Sequence, residues 1–325
     1  MQRYKFVSSS VALAKEVLLI ISTNMIRPPN LEPGNKVGIV APARKVNREE
    51  MAPAIKMLSS WGYDVIEGEH LYSQENQYAG TDEQRTADFQ YMLDDPDIKA
   101  IFCARGGYGS VRIIDKLDFS SFTEHPKWIV GYSDITVFHS HINRHTGVQT
   151  LHAGMPINFP PGGKMNSSLE SMKTILQGEN PEYQISGHPF NRPGAARGIL
   201  TGGNLSVLYS MSGTPSDIET GGKILFLEDL DEYLYHIDRM MMNLKRSGKL
   251  EGLAGLVVGG MNDMNDNEIP YGQSAYEIIA DAVSDYSYPV LFGFPAGHAG
   301  ENLGLIMRGR YELDVDSNCS LKLKL

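Results

Sequence analysis

Apolar residues along the chain fall in short runs, and the polar stretches between them carry apolar positions at helical spacing. KVGIVAPA, from Lys36, reads as a buried strand and is followed by a helix from about Arg48 to Trp61. DVIEG, from Asp64, is a second strand. TDEQRTADFQYMLDD then opens a helix, with Thr81 as N-cap and Gln84 at the capping-box position. KAIFCAR is a third strand, and GGYGS leads from it into a helical VRIIDKL. KWIVGY is a fourth strand, and DITVFHSHINRH is its helix. Strand and helix alternating at this rhythm predict βαβ units around a central parallel sheet.

Between about Gly162 and Pro193 the composition shifts to Gly, Pro, Asn and Ser around one helical segment, as in a link between domains. RGILTGGNLSVLYSM then opens a second half. It continues through strand KILFLED, a helix from about Glu232 to Arg246, strand GLAGLVVGG, a helix near Ala275–Ser284 and strand PVLFGF. YELDVDSNCSLKLKL closes the chain as two alternating strands around an Asp-Ser-Asn turn, a hairpin. The expected fold is α/β: an N-terminal lobe (25–165) with a parallel, doubly wound sheet, a linker (166–195) and a smaller C-terminal α/β lobe (196–325). A cleft is expected where the lobes meet.

Length and composition leave that picture intact and narrow the function. The 325 residues suffice for two compact units, and the formal net charge is −10. No Lys/Arg cluster with interleaved aromatics occurs, which argues against nucleic acid as a partner. The two cysteines, Cys103 and Cys319, lack metal-ligand spacing and suggest a reducing compartment. Residues 1–24 carry early positive charge and an apolar stretch, like an export signal, but Lys15 and Glu16 interrupt it and no run reaches the length of a membrane span. They read as an extension ahead of a start at Met25.

The chemistry centres on Gly131-Tyr132-Ser133-Asp134. A strand that ends at Gly-x-Ser and turns at once into a helix holds the hydroxyl at the carboxyl edge of a parallel sheet, where open α/β sheets bind ligands. The N-terminal amides of that helix point to where an oxyanion would form. The fifth position is Ile135 and not the glycine of a G-x-S-x-G elbow, so an ordinary α/β-hydrolase is not indicated.

A serine needs a base. His141 and His145 share a helix face at a spacing that could hold a metal, but without the carboxylate of H-E-x-x-H they and His139 read as solvated helix histidines. His152 could line the cleft. His298, between glycines on a loop after PVLFGF, is the better candidate. Glu228, after the apolar run of KILFLED, could orient it, although Glu228 and Asp229 could equally begin a helix and favour its dipole. The Gly-rich RGGYG could supply a second oxyanion donor. Alternatively it could cradle phosphate, which would make the protein a non-catalytic nucleotide- or sugar-phosphate-binding module.

Taken in order, ARGGYG, GYSDIT, ILFLED with the following YHIDRM, and GFPAGH resemble the LD-carboxypeptidase family, from about Lys36 to the C-terminus. Its members are serine peptidases that trim D-alanine from murein tetrapeptides, and they have relatives that confer immunity to microcin C by cleaving another amide. The resemblance implies Ser133 as nucleophile, Glu228 and His298 as its triad partners, and the backbone N–H groups of Gly107 and Asp134 as the oxyanion hole. It also implies no metal or organic cofactor, a murein peptide substrate, a cytoplasmic setting and a homodimer. GHAGENLGLIM departs from the run expected after the histidine, so substrate contacts there are less secure than the triad. Arg105, a cation beside the oxyanion loop, is the candidate for binding the substrate's free terminal carboxylate.

Overall fold

The computed structural model describes residues 25–316 and 318–324, so the extension 1–24 lies outside it. Its elements, in chain order, begin with β1 (Lys36–Val40), α1 (Arg48–Ser60), β2 (Asp64–Glu67), α2 (Asp82–Asp94) and β3 (Ile98–Cys103). Next come α3 (Ser120–Glu124), β4 (Trp128–Gly131), α4 (Thr136–His145), β5 (Thr150–His152), α5 (Ser167–Leu176) and β6 (Glu182–Ile185). The second half holds β7 (Gly194–Asn204), α6 (Leu205–Ser210), β8 (Ile224–Leu230), α7 (Leu234–Arg246), β9 (Gly255–Asn262), α8 (Ala275–Ala282) and β10 (Val290–Phe292). It ends with β11 (Leu305–Met307), β12 (Arg310–Val315) and β13 (Cys319–Lys324).

The first sheet has the order β11-β5-β4-β3-β1-β2, parallel except at β11. From β2 to β5 it is the doubly wound order that reverses direction between β1 and β3, so the RGGYG loop after β3 opens at the topological switch point. Val37 and Ile39 face one apolar cluster and Val40 the other, as in a strand covered on both faces. The second sheet runs β10-β9-β8-β7-β12-β13-β6, parallel from β10 to β7 and antiparallel beyond. Both apolar clusters contain residues of both lobes, so the core is continuous between them.

Local signals explain most boundaries. Thr81 and Gln84 form the expected capping box of α2, and Asn47–Glu50 and Ser274–Glu277 form two more at α1 and α8. Three expectations need correction. Ser110–Lys116 makes two short 3₁₀ turns and not a helix, because Leu117 turns extended and Asp118 accepts from the Ser120 amide (2.9 Å), starting α3 afresh. The stretch expected as a linker contributes β6 to the second sheet as well as α5. Finally β11, deep in the second half, crosses back to complete the first sheet beside β5.

Candidate active site

Ser133 follows β4 with φ +63°, a left-handed conformation that a non-glycine residue adopts at a cost and that is typical of a side chain held up at a strand-to-helix turn. Gly131 explains the missing fifth-position glycine. A Cβ there would lie 2.8 Å from Ile135 Cγ1, so Ile135 fits because Gly131 makes room for it. Behind the turn, the buried His139 ring donates from Nε2 to the Gly131 carbonyl and accepts at Nδ1 from the Thr150 hydroxyl, both at 2.9 Å. Burial lowers its pKa to about 4, so it serves as a neutral brace for the strand end.

The Gly-rich loop is pinned against this turn. A Cβ on Gly106 would stand 3.1 Å from Ser133 Cβ, 3.2 Å from its Oγ and 3.4 Å from the Asp134 nitrogen. The Gly106 backbone therefore lies against the serine and the Asp134 amide, one of the two expected oxyanion donors, while the other, Gly107, packs against the Arg44 side chain. The buried Asp134 carboxylate accepts from the Ser110 amide at 2.9 Å, and Arg85 donates to the carbonyls of Pro42 and Gly109. Anchored in this way and followed by a 3₁₀ turn of three residues, the loop lacks the helix that a phosphate cradle uses.

From the other lobe comes His298. Its Nδ1 meets Glu228 Oε2 at 2.7 Å, and the Glu228 side chain is completely buried. Glu228 lies inside β8, so the helix-start reading of Glu228 and Asp229 is corrected. Glycine makes the pairing possible: a Cβ at Gly297 would fall 2.5 Å from Glu228 Oε2, and one at Gly259 3.3 Å from Glu228 Cβ. The loop is fixed where the Gly297 amide donates to Asn302 Oδ1 (3.0 Å). Burial disfavours the His298 cation, but the Glu228 hydrogen bond and the charges of Glu228 and Asp229 outweigh it and raise the pKa above the ordinary value. Tyr132, beside the serine, packs its ring 4.8 Å from that of His298 at a tilt of 56°, which brings the two loops together.

Several residues without an obvious signal in the sequence join the halves. The Asn204 amide donates to Thr136 Oγ1 (3.1 Å), one turn past Ser133, and a Cβ on Gly203 would clash with Thr136. Asn204 in turn sits in register with Glu228 across the β7–β8 pair and donates from Nδ2 to Asp229 Oδ1 (3.0 Å). Burial, and then the neighbouring Glu228 charge, pushes the Asp229 carboxyl up to about 7. Of the helix histidines expected to be solvated, His145 is exposed while His139 is buried and His141 half-buried; His141 bonds Ser216 Oγ (2.9 Å) and His145 the Pro215 carbonyl (2.8 Å) across the lobes. His152 is fully buried against Tyr132 and Phe226 and does not line the cleft. Arg105 lies 3.9 Å from Glu50, so the cation proposed for the terminal carboxylate already has a carboxylate neighbour. Among the described residues no group of three or more His, Cys, Asp or Glu is placed to hold a metal, and no helix is long and apolar enough to cross a membrane.

A cavity of about 220 Å³ opens between Tyr132 and the His298 loop. Phe159, Leu169 and Met172 give it an apolar side, while Asn158, Asn166 and Ser168 give it a neutral polar one. Beside a strained serine and a carboxylate-paired histidine, such a cavity suits a small group on an acyl compound.

Both halves of the chain match a known family. The description "LD-carboxypeptidase N-terminal domain" matches residues 37–153, and "LD-carboxypeptidase C-terminal domain" matches residues 197–313. The chain belongs to the LD-carboxypeptidase family, and is a peptide hydrolase. It is 36% identical over 284 residues to a probable murein peptide carboxypeptidase of Bacillus subtilis, covering 86% of this chain and 88% of that one. The crystal structure of muramoyltetrapeptide carboxypeptidase from Oxalobacter formigenes superposes with a TM-score of 0.81 at 29% identity, covering 89% and 99%. The microcin C7 self-immunity protein MccF of Escherichia coli is 24% identical over 336 residues, covering 92% and 96%.

Proposed function

We propose that the protein is a serine LD-carboxypeptidase that releases the terminal D-alanine of murein tetrapeptides during peptidoglycan recycling. The observation that carries this reading is the Glu228–His298 pair at 2.7 Å, brought by the Tyr132–His298 ring contact to the turn that holds Ser133 at φ +63° against glycine backbone. His298 accepts the Ser133 proton from Oγ as Oγ attacks the carbonyl carbon of the L,D-amide. Glu228 stabilises the resulting imidazolium. The Gly107 and Asp134 amides donate to the oxyanion. On collapse, His298 returns the proton to the departing D-alanine nitrogen, and water, deprotonated by the same imidazole, then hydrolyses the acyl-enzyme.

The terminal D-alanine occupies the cavity beside Tyr132, with Arg105 steering its carboxylate. The reaction takes place in the cytoplasm, and the enzyme acts as a homodimer. The names of the relatives in Bacillus and Oxalobacter support the substrate class. The test is mass-spectrometric: wild type and Ser133→Ala are incubated with murein tetrapeptide and the loss of one D-alanine is followed. Loss with wild type alone supports the reading. Loss with neither protein overturns the substrate and favours another amide, such as a peptidyl-nucleotide. Equal loss with both overturns the nucleophile.

A further inference from the structure

Along the carboxyl edge of the first sheet, ordered β11-β5-β4-β3-β1-β2, Ser133 follows β4 and has two different sides. On one side the loop of His298 runs on into β11, next to β5. The cavity beside Tyr132 is lined from that loop, from the segment after β5 and from α5. On the other side stands the RGGYG loop after β3 and, beyond it, the loop after β1 that carries Arg44. The space between the β1 and β3 loops is the topological switch point, where open α/β sheets take their ligands. His298 must reach the departing nitrogen, so the leaving group belongs on its side of Ser133. The acyl part then extends the other way, over RGGYG towards Arg44. With strands about 4.8 Å apart, β1 is about 10 Å from β4, a span covered by about three residues of extended chain.

Arg44 is fixed there by its backbone, and its charge is free. Its amide donates to the Gly106 carbonyl at 3.4 Å. On either side, the Ala79 amide donates to the Ala43 carbonyl and the Lys45 amide to the Gln77 carbonyl, both at 3.1 Å. The stem of the side chain lies on Gly107, where a Cβ would fall 2.5 Å from Arg44 Cδ and 2.8 Å from Nε. The neighbouring cations are matched: Arg85 and Arg112 share Asp82, and Arg105 faces Glu50 at 3.9 Å. Arg44 is exposed and, among the described residues, has neither a carboxylate partner nor a side-chain hydrogen bond. The chain as a whole carries a net charge of −10. An unmatched guanidinium lying on a proposed oxyanion donor is placed for an anion that arrives with the substrate, and its planar fork suits a carboxylate.

Resting on the carboxypeptidase reading, we propose that Arg44 binds a carboxylate on the acyl part of the substrate. It thereby selects murein peptides that carry a free carboxylate on the N-terminal side of the scissile bond. Two groups of a murein tetrapeptide have this chemistry: the side-chain carboxylate of the third residue, present in diaminopimelate and absent from lysine, and the carboxylate of the second residue, D-glutamate. Arg44 takes no part in breaking the bond. It sets which acyl group is held for Ser133.

The test compares full-length wild type, Arg44→Gln and Arg44→Glu on matched tetrapeptides. One has diaminopimelate third and a free glutamate carboxyl, one has lysine third, and one has diaminopimelate with the glutamate carboxyl amidated. D-alanine release gives kcat/KM, and calorimetry gives the binding of the corresponding tripeptides, which needs no turnover. In wild type, loss of the recognised carboxylate should lower kcat/KM and weaken tripeptide binding by about fivefold, and the peptide that shows the loss identifies the carboxylate. That ratio should fall to near one in Arg44→Gln and below one in Arg44→Glu. Circular dichroism checks the fold of each variant, so that loss of one to misfolding leaves the other to decide. A wild-type ratio near one for both carboxylates, or a ratio that survives in both variants, overturns the proposal. So does an equal loss on all the peptides, which would make Arg44 only a support for Gly107. Carboxylate-selective tripeptide binding with no D-alanine release from any peptide would overturn the carboxypeptidase reading and leave the anion site standing.

Discussion

The two halves of the candidate active site are held by different means. Around Ser133 the constraints are in the backbone: a left-handed serine, Gly106 pressed against it, Gly131 yielding to Ile135, and Asp134 tied to the Ser110 amide. Around His298 they are electrostatic: a fully buried carboxylate aligns the ring and raises its pKa. The first half should therefore be sensitive to a single added carbon, whereas the second, which also depends on glycine at 297, should in addition be sensitive to loss of charge at constant volume. A strained backbone presents an atom. A buried charge tunes one.

The largest expected effect is Ser133→Ala, a loss in kcat of about 10⁴-fold or more, because it removes the proposed attacking atom and leaves the rest of the site in place. Glu228→Gln comes next. It keeps the volume and removes the charge, and should cost about 10²- to 10⁴-fold in kcat/KM by analogy with other triads. Its pH profile sharpens the contrast. The proposed mechanism needs neutral His298, so wild-type kcat/KM should fall as pH drops through a His298 pKa raised above its ordinary value. In Glu228→Gln that acid limb should move to lower pH, since the carboxylate charge that favours the imidazolium is gone. A limb that stays in place would mean that Glu228 does not tune His298.

Gly106→Ala probes the other half. Its new carbon would sit about 3 Å from the serine side chain, and kcat should drop about 10- to 10²-fold with little change in the pH limb. A pH shift comparable to that of Glu228→Gln would erase the distinction between the halves. Thr136→Val acts on the seam joining them. It leaves the buried Asn204 amide without its acceptor, and should cost about 1–3 kcal/mol in stability, read as a lower melting temperature. Smallest of all is Arg105→Ala. With Glu50 already beside the guanidinium, it should weaken the preference for a free over an amidated C-terminus by less than about tenfold, and no change would remove Arg105 from substrate binding.

Ser133, Glu228 and His298 were legible in the sequence because each stands where an apolar run meets polar or glycine residues, at or near the carboxyl end of a strand. The parallel first sheet was legible for the same reason: its strands are local runs separated by amphipathic helices. Their supports were not. Thr136, Asn204 and Asp229 meet only once two segments about 70 residues apart in sequence are docked, and nothing local marks that contact. His139 looked like one of three polar histidines on a helix. Only its register against the Gly131 carbonyl shows it to be internal. β11 was invisible for a simpler reason: Leu305–Met307 is three apolar residues, too short a run to announce a strand, let alone one belonging to the other sheet.

That returning strand bears on how the protein could be taken apart. Cutting the chain near residue 165 would give a first fragment whose sheet ends at β5, with its outer hydrogen-bonding edge bare where Leu305, Ile306 and Met307 had been. An apolar, uncovered edge of this kind pairs with whatever strand it meets, so the isolated fragment should self-associate. The second fragment would hold the missing piece as an unpaired apolar segment between β10 and β12. The two lobes are in this sense sewn rather than hinged, and the first sheet is completed only after nearly the whole chain has been made.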